Sequence, residues 1–218
     1  MWRSASGLCG AWARAKTDAR CRVSAVAKAM QFRESAGFAI SEKCMKSEPP
    51  KRPSVLIFMG VAGSGKTTVA ALFAEKTGAV FYEGDDFHPP ENIAKMRSGT
   101  PLTDADRAKW LKTLRQIIVR SLAAEKPTVL TCSALKLKYR DELAAGDPRV
   151  KFVHLTGPKA LIEERLKNRP GHFMPPALLE SQLAILEPPA DALVFSCEKT
   201  PLEIVAGVAH ALGIAISD

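Results

Sequence analysis

The chain predicts a three-layer α/β domain, a five-stranded parallel sheet with helices on both faces. Two observations carry that expectation. Short apolar runs alternate with segments of helical period from residue 54 to residue 212, and strands separated by helices pair in parallel beneath helical layers. The first apolar run also empties into a glycine-rich turn that leads directly into a helix, a junction characteristic of such sheets.

Each element has its own warrant. Ser54–Met59 (SVLIFM) is a continuous apolar run of strand length, as a strand buried on both faces requires. A helix is expected from about Lys66 to Lys76, and a second short strand over Ala79–Glu83. Thr103 followed three residues later by Asp106 has the form of a capping box. It opens a helix whose apolar face is Trp110, Leu111, Leu114, Ile117, Ile118 and Leu122; Trp110 reads there as a core residue. Thr128–Cys132 is the third strand, Lys136–Ala144 a helix, and Val150–Leu155 the fourth strand. Pro158 suits the first turn of a helix running to about Asn168. Pro176–Leu186 reads as helix, Ala192–Ser196 as the fifth strand, and Pro201–Leu212 as the closing helix.

Of the 218 residues, 46% are apolar and 25% charged, values ordinary for a soluble globular domain. No apolar run approaches the roughly 20 residues that cross a bilayer. The formal charge of +8 is unevenly placed: the first fifty residues hold nine basic and four acidic side chains, leaving 22 basic against 19 acidic for the rest. A remainder of +3 after residue 50, with 6% aromatics in the chain and no basic stripe, argues against nucleic acid as the partner. Cys9, Cys21, Cys44, Cys132 and Cys197 are odd in number and form no metal-binding spacing. They read as reduced thiols without a catalytic part.

Residues 1–52 stand apart as leader and linker, rich in Ala, Arg and Ser and ending in a proline-rich run. Such composition suits an organelle transit peptide, a disordered leader, or sequence upstream of a later start such as Met30. Residues 53–218 form the expected domain, with a cytoplasmic location unless the leader directs import.

After the first strand comes Gly60-Val61-Ala62-Gly63-Ser64-Gly65-Lys66-Thr67, a full match to GxxxxGK[ST]. The glycines let successive N–H groups turn inward as an anion nest at a helix N-terminus. Lys66 is then expected on the β- and γ-phosphates of ATP, and Thr67 on Mg2+.

Ligands of parallel sheets gather at the carboxyl ends of the strands. The second strand ends in Glu83-Gly84-Asp85-Asp86-Phe87-His88, too polar a cluster for a core. A phosphoryl acceptor needs a carboxylate to orient its hydroxyl and take its proton; Asp85 is the first choice and Asp86 the second. Just past the third strand, Ser133 and the start of the following helix are placed to hydrogen-bond an anionic substrate, and Arg140, one turn beyond Lys136, is placed either to clamp a carboxylate or to form a solvated basic face. Arg165 and Arg169 share a helix face, and the segment 165–178, punctuated by Pro170-Gly171 and Pro175-Pro176, reads as a mobile lid that brings cations onto the transferring phosphate. His172 in that lid either contacts substrate or packs structurally.

These blocks resemble the P-loop gluconokinases: GVAGSGKTT, GDDFHPPENIAKMRSGTPLTDADRAKWL, CSALKLKYRDEL and RLKNRPGHFMPPALLESQLAILEPP, in order between about Val55 and Leu212. The resemblance implies a nucleoside-monophosphate-kinase-like fold with a lid. It implies transfer of the γ-phosphate of ATP to the 6-hydroxyl of D-gluconate, feeding the pentose phosphate route, and a homodimer. It also implies nucleotide contacts from Gly63 to Thr68, substrate roles for Asp85, Asp86, His88, Lys95, Arg107, Ser133 and Arg140, lid roles for Arg165, Arg169 and His172, and a place facing the site for Gln182. The chain departs from the family pattern at Glu83, where aspartate is more frequent, at Ala108-Lys109, where proline commonly precedes Trp110, and at Pro170.

Overall fold

The computed structural model describes residues 54–168 and 178–217. The described residues form five strands: β1 Val55–Met59, β2 Val80–Tyr82, β3 Thr128–Thr131, β4 Val150–Thr156 and β5 Leu193–Ser196. They form one parallel sheet in the order β2-β3-β1-β4-β5. The helices are α1 Lys66–Thr77, α2 Pro90–Arg97, α3 Asp104–Ala123, α4 Leu137–Ala144, α5 Lys159–Lys167, α6 Leu178–Ile185 and α7 Pro201–Leu212.

Strand β1 shows why the sequence builds three layers. All five of its residues are buried, and alternate side chains serve opposite faces. Val55, Ile57 and Met59 join Trp110, Leu111, Leu114 and Ile118 of α3 and Leu143 of α4. Leu56 and Phe58 join Val69 and Phe73 of α1 and Ile204, Val205 and Val208 of α7. A third cluster, including Val61, Leu135, Ile162, Leu166 and Leu179, packs α5 and α6 against the loop after β1.

The Thr103–Asp106 capping box is formed, and a second one, Thr200 with Glu203, opens α7. Helix α2 had no counterpart among the sequence expectations. Its eight residues bury only Asn92 and Met96, so its apolar period is too thin to stand out; Pro90 at its start was the available signal. Strand β2 stops at Tyr82, one residue short of expectation, because the chain turns at Gly84–Phe87 into a 3-10 helix. The start of the expected Pro176–Leu186 helix, and most of the expected lid, lie outside the described residues.

Candidate active site

The loop after β1 delivers the chain to α1 in a form suited to an anion. Gly65, the residue before the helix, has φ +90°, and a Cβ built there would meet nothing within 4 Å. The first turn of α1 carries no acidic residue, and no side chain caps it. Its N–H groups and the positive end of the helix are thus left for a ligand. Lys66 Nζ donates to the Val61 carbonyl at 3.1 Å. From the other side, Ala62 N donates to Gln182 Oε1 at 2.7 Å, so α6 pins the loop.

A cavity of about 750 Å³ opens over this loop. One wall is the cradle itself, Ala62, Gly63, Gly65, Lys66, Thr67 and Thr68; Gly60, Val61 and Ser64 do not line it. The facing wall holds Asp85, His88, Arg107, Trp110 and Ser133. Arg165 and Gln182 line it from α5 and α6.

On the facing wall, His88 stacks on Trp110 with ring centroids 4.1 Å apart and planes 16° from parallel. Burial first, and the neighbouring Arg107 charge second, push the imidazole from 6.5 down to about 4. His88 is therefore neutral at physiological pH, and its buried Nδ1 has no protein partner among the described residues. Arg107 is itself buried; it donates to the Leu102 carbonyl and lies over the Tyr139 ring at 5.9 Å. The Tyr139 hydroxyl in turn donates to Asp104, which also takes Lys136 and Lys138.

The neutral histidine gives a pH dependence whose sign is fixed. An unfolded histidine takes a proton near its ordinary 6.5, while the folded site refuses it until about 4. The stability contributed by neutral His88 is thus complete above 6.5 and is lost as pH falls toward 4. Wild type and His88→Gln, compared by denaturant unfolding, should converge by about 2 kcal/mol between about pH 7.5 and about pH 5.

Several expected residues are not on the cavity wall. Asp86 is exposed and absent from it. Lys95 is exposed and paired with Asp106 at 2.6 Å. Arg140 is 4% exposed and so forms no solvated basic face; its Nη1 donates to the Ala134 and Leu135 carbonyls, bracing the loop that carries Ser133, and its buried Nε has no partner among the described residues. Arg165 Nη2 donates to the Cys197 carbonyl at 2.9 Å beside the cavity; Arg169 and His172 lie outside the described residues. Cys132 is fully buried, and burial pushes its thiol up to about 12, so it stays protonated and inert.

Trp110 was legible only as core. It is 1% exposed, yet it also forms part of the cavity wall. Met96, Leu102, Glu164 and Asn168 line the cavity as well, and none carries a motif that would have pointed to it.

A parallel sheet with the glycine loop at the end of its central strand, an uncapped helix start, and an acid and a hydroxyl across the cavity define a P-loop phosphotransferase. Residues 55–189 match the AAA domain family. The chain is 46% identical over 180 residues to a probable gluconokinase of Mus musculus, an alignment spanning 73% of this chain and 98% of that one. It is 49% identical over 140 residues to a gluconokinase of Gluconobacter oxydans (strain 621H), spanning 64% and 79%. A crystal structure of a gluconokinase from Sinorhizobium meliloti 1021 superposes with a TM-score of 0.66 at 42% identity, over 74% of this chain and 93% of that one. The chain belongs to the gluconokinase family.

Proposed function

We propose that this protein transfers the γ-phosphate of ATP to the 6-hydroxyl of D-gluconate, giving 6-phospho-D-gluconate and ADP. The observation that carries the reading is that residues of the phosphate cradle line one cavity together with Asp85, His88, Arg107 and Ser133. The N–H groups at the start of α1 and the Lys66 ammonium hold the phosphates. Asp85 takes the proton of the 6-hydroxyl as its oxygen bonds to the γ-phosphorus and the bond to the ADP oxygen breaks. Arg107 offers the fixed positive charge that a sugar carboxylate requires. Neutral His88 and Ser133 offer hydrogen bonds to the hydroxyl chain. Arg165, with Arg169 and His172 from the segment 165–178 acting as a lid, adds charge at the transferring group.

Among the described residues, no group of three or more His, Cys, Asp or Glu is placed to hold a metal. That suits Mg2+, which binds through few protein oxygens together with phosphate oxygens and water. The hard hydroxyl of Thr67, on the cavity wall, is the ligand this chain supplies. When bound, the ion neutralises charge on the phosphates.

The reading extends to a cytoplasmic homodimer whose activity resides in residues 53–218. No helix among the described residues is long and apolar enough to cross a membrane. The test is ADP release by the full chain with ATP and magnesium against gluconate, shikimate, glycerate and nucleoside monophosphates. Turnover confined to gluconate is the expected result; turnover confined to another acceptor overturns the substrate and keeps the phosphotransferase.

A further inference from the structure

Glu83 and Thr131 do not line the cavity, and no step above uses them. They are nevertheless joined to the acceptor wall through an unusually constrained peptide. Thr131 Oγ1 donates its one proton to Glu83 Oε1. With that proton committed, a lone pair of the hydroxyl faces Gly84 N, which donates to it at 2.9 Å. On the other side of Gly84, its carbonyl accepts from Trp110 Nε1 at 2.7 Å. The backbones approach so closely that a Cβ on Gly84 would lie 2.0 Å from the Thr131 carbonyl oxygen. Only glycine fits here.

The consequence falls on Asp85. The carbonyl held by Trp110 belongs to the peptide whose nitrogen is that of Asp85. The carbonyl of Asp85 accepts from His88 N at 3.3 Å, and the ring of His88 stacks on the same Trp110. Both peptides flanking Asp85 are therefore fixed, leaving its side-chain torsions as the remaining freedom. Thr131 is equally fixed to the phosphate cradle: it stands opposite Phe58 in the β1–β3 register. Cys132 N donates to the Phe58 carbonyl at 3.0 Å, and Gly60 N donates to the Ser133 carbonyl at 3.3 Å. One rigid path thus runs from the cradle through β3 to Asp85.

We infer that Glu83, Thr131 and Trp110 form a positioning clamp that sets the spacing between Asp85 and the phosphate cradle. This rests on the reading of Asp85 as the base. Glu83, with its second carboxylate oxygen buried and unpartnered, acts by orienting the Thr131 hydroxyl and touches no reactant. The clamp serves the chemical step because misplacing a reacting group by about 1 Å can cost on the order of 10² in rate.

The test is a double-mutant cycle in the full-length protein, using whichever acceptor wild type turns over. Thr131→Val should lower kcat by about 10-fold or more, with both KM values within about twofold. Thr131→Ser should restore most of the loss. In an Asp85→Asn background, Thr131→Val should cost less than about twofold, because the group it positions is already disabled. If Thr131→Val fails to fold, Trp110→Phe carries the same cycle, leaving a smaller aromatic ring beside His88 and removing the indole N–H. A factor that is equal in both backgrounds, or kcat unchanged by either variant, overturns the clamp while leaving Asp85 as base. An unimpaired Asp85→Asn overturns the base and the clamp together.

Discussion

Replacing Lys66 with alanine should lower kcat by at least about 10³ while the protein stays folded. Loss of a single preorganised donor to a developing oxyanion costs on the order of 10² to 10³, and Lys66 brings a full charge as well as donors. It stands at the first position of α1, on the cavity wall, where the helix start already attracts anions. Its Nζ donates to the Val61 carbonyl at 3.1 Å, within the loop that would surround the phosphates. The side chain is only partly buried, so truncation removes little apolar packing and the thermal midpoint should hardly move. Lys66→Arg should not rescue, because a planar guanidinium cannot occupy the space of a compact ammonium inside a tight loop. Steady-state kinetics beside a thermal melt decide the matter. A folded Lys66→Ala that keeps most of its kcat would show that the phosphate is not held here.

The placement of that residue was legible because the elements that aim it are local. The strand, the turn and the helix that aim Lys66 lie within residues 55–77, and the glycines at fixed spacing report a backbone shape directly. The capping box at Thr103 was legible for the same reason. The strand order β2-β3-β1-β4-β5 was not, since which strands become neighbours depends on crossovers that no single segment encodes. Arg140 shows how far spacing reaches. Its spacing from Lys136 put the two on one helix face, but spacing does not say whether that face meets water. Here Arg140 is buried against the β3–α4 loop, while Lys136 reaches Asp104. Lys95 pairs with Asp106, a partner eleven residues away in another helix that no local pattern announces. Trp110 misled in the opposite direction: periodicity correctly reported burial, but a side chain that is buried can still have its edge on a cavity. The clamp on Gly84 was hidden for the same physical reason, because it joins the start of a turn to strand β3 and helix α3 through contacts distant in sequence.

The two neighbouring aspartates give the sharpest remaining test. Asp85→Asn should cut kcat by about 10² or more, the usual scale of a general base, whereas Asp86→Asn should stay within about twofold. Both carboxylates sit in the same 3-10 turn, and sequence alone could only rank them. The fold separates them: Asp85 is half-buried on the cavity wall and Asp86 is exposed and off it. Asp85 and Lys66 line the same cavity, the acceptor-side acid with the phosphate-side cation. Asparagine preserves the size and much of the hydrogen bonding of aspartate but cannot take a proton. The loss should therefore appear in kcat, with KM for the acceptor changed far less, the pattern of a group that matters in the transition state more than in the bound complex. If KM rises while kcat holds, Asp85 binds the acceptor without taking its proton. If Asp86→Asn is instead the crippled variant, the turn must rearrange when substrate enters, and the base lies one residue further along the chain.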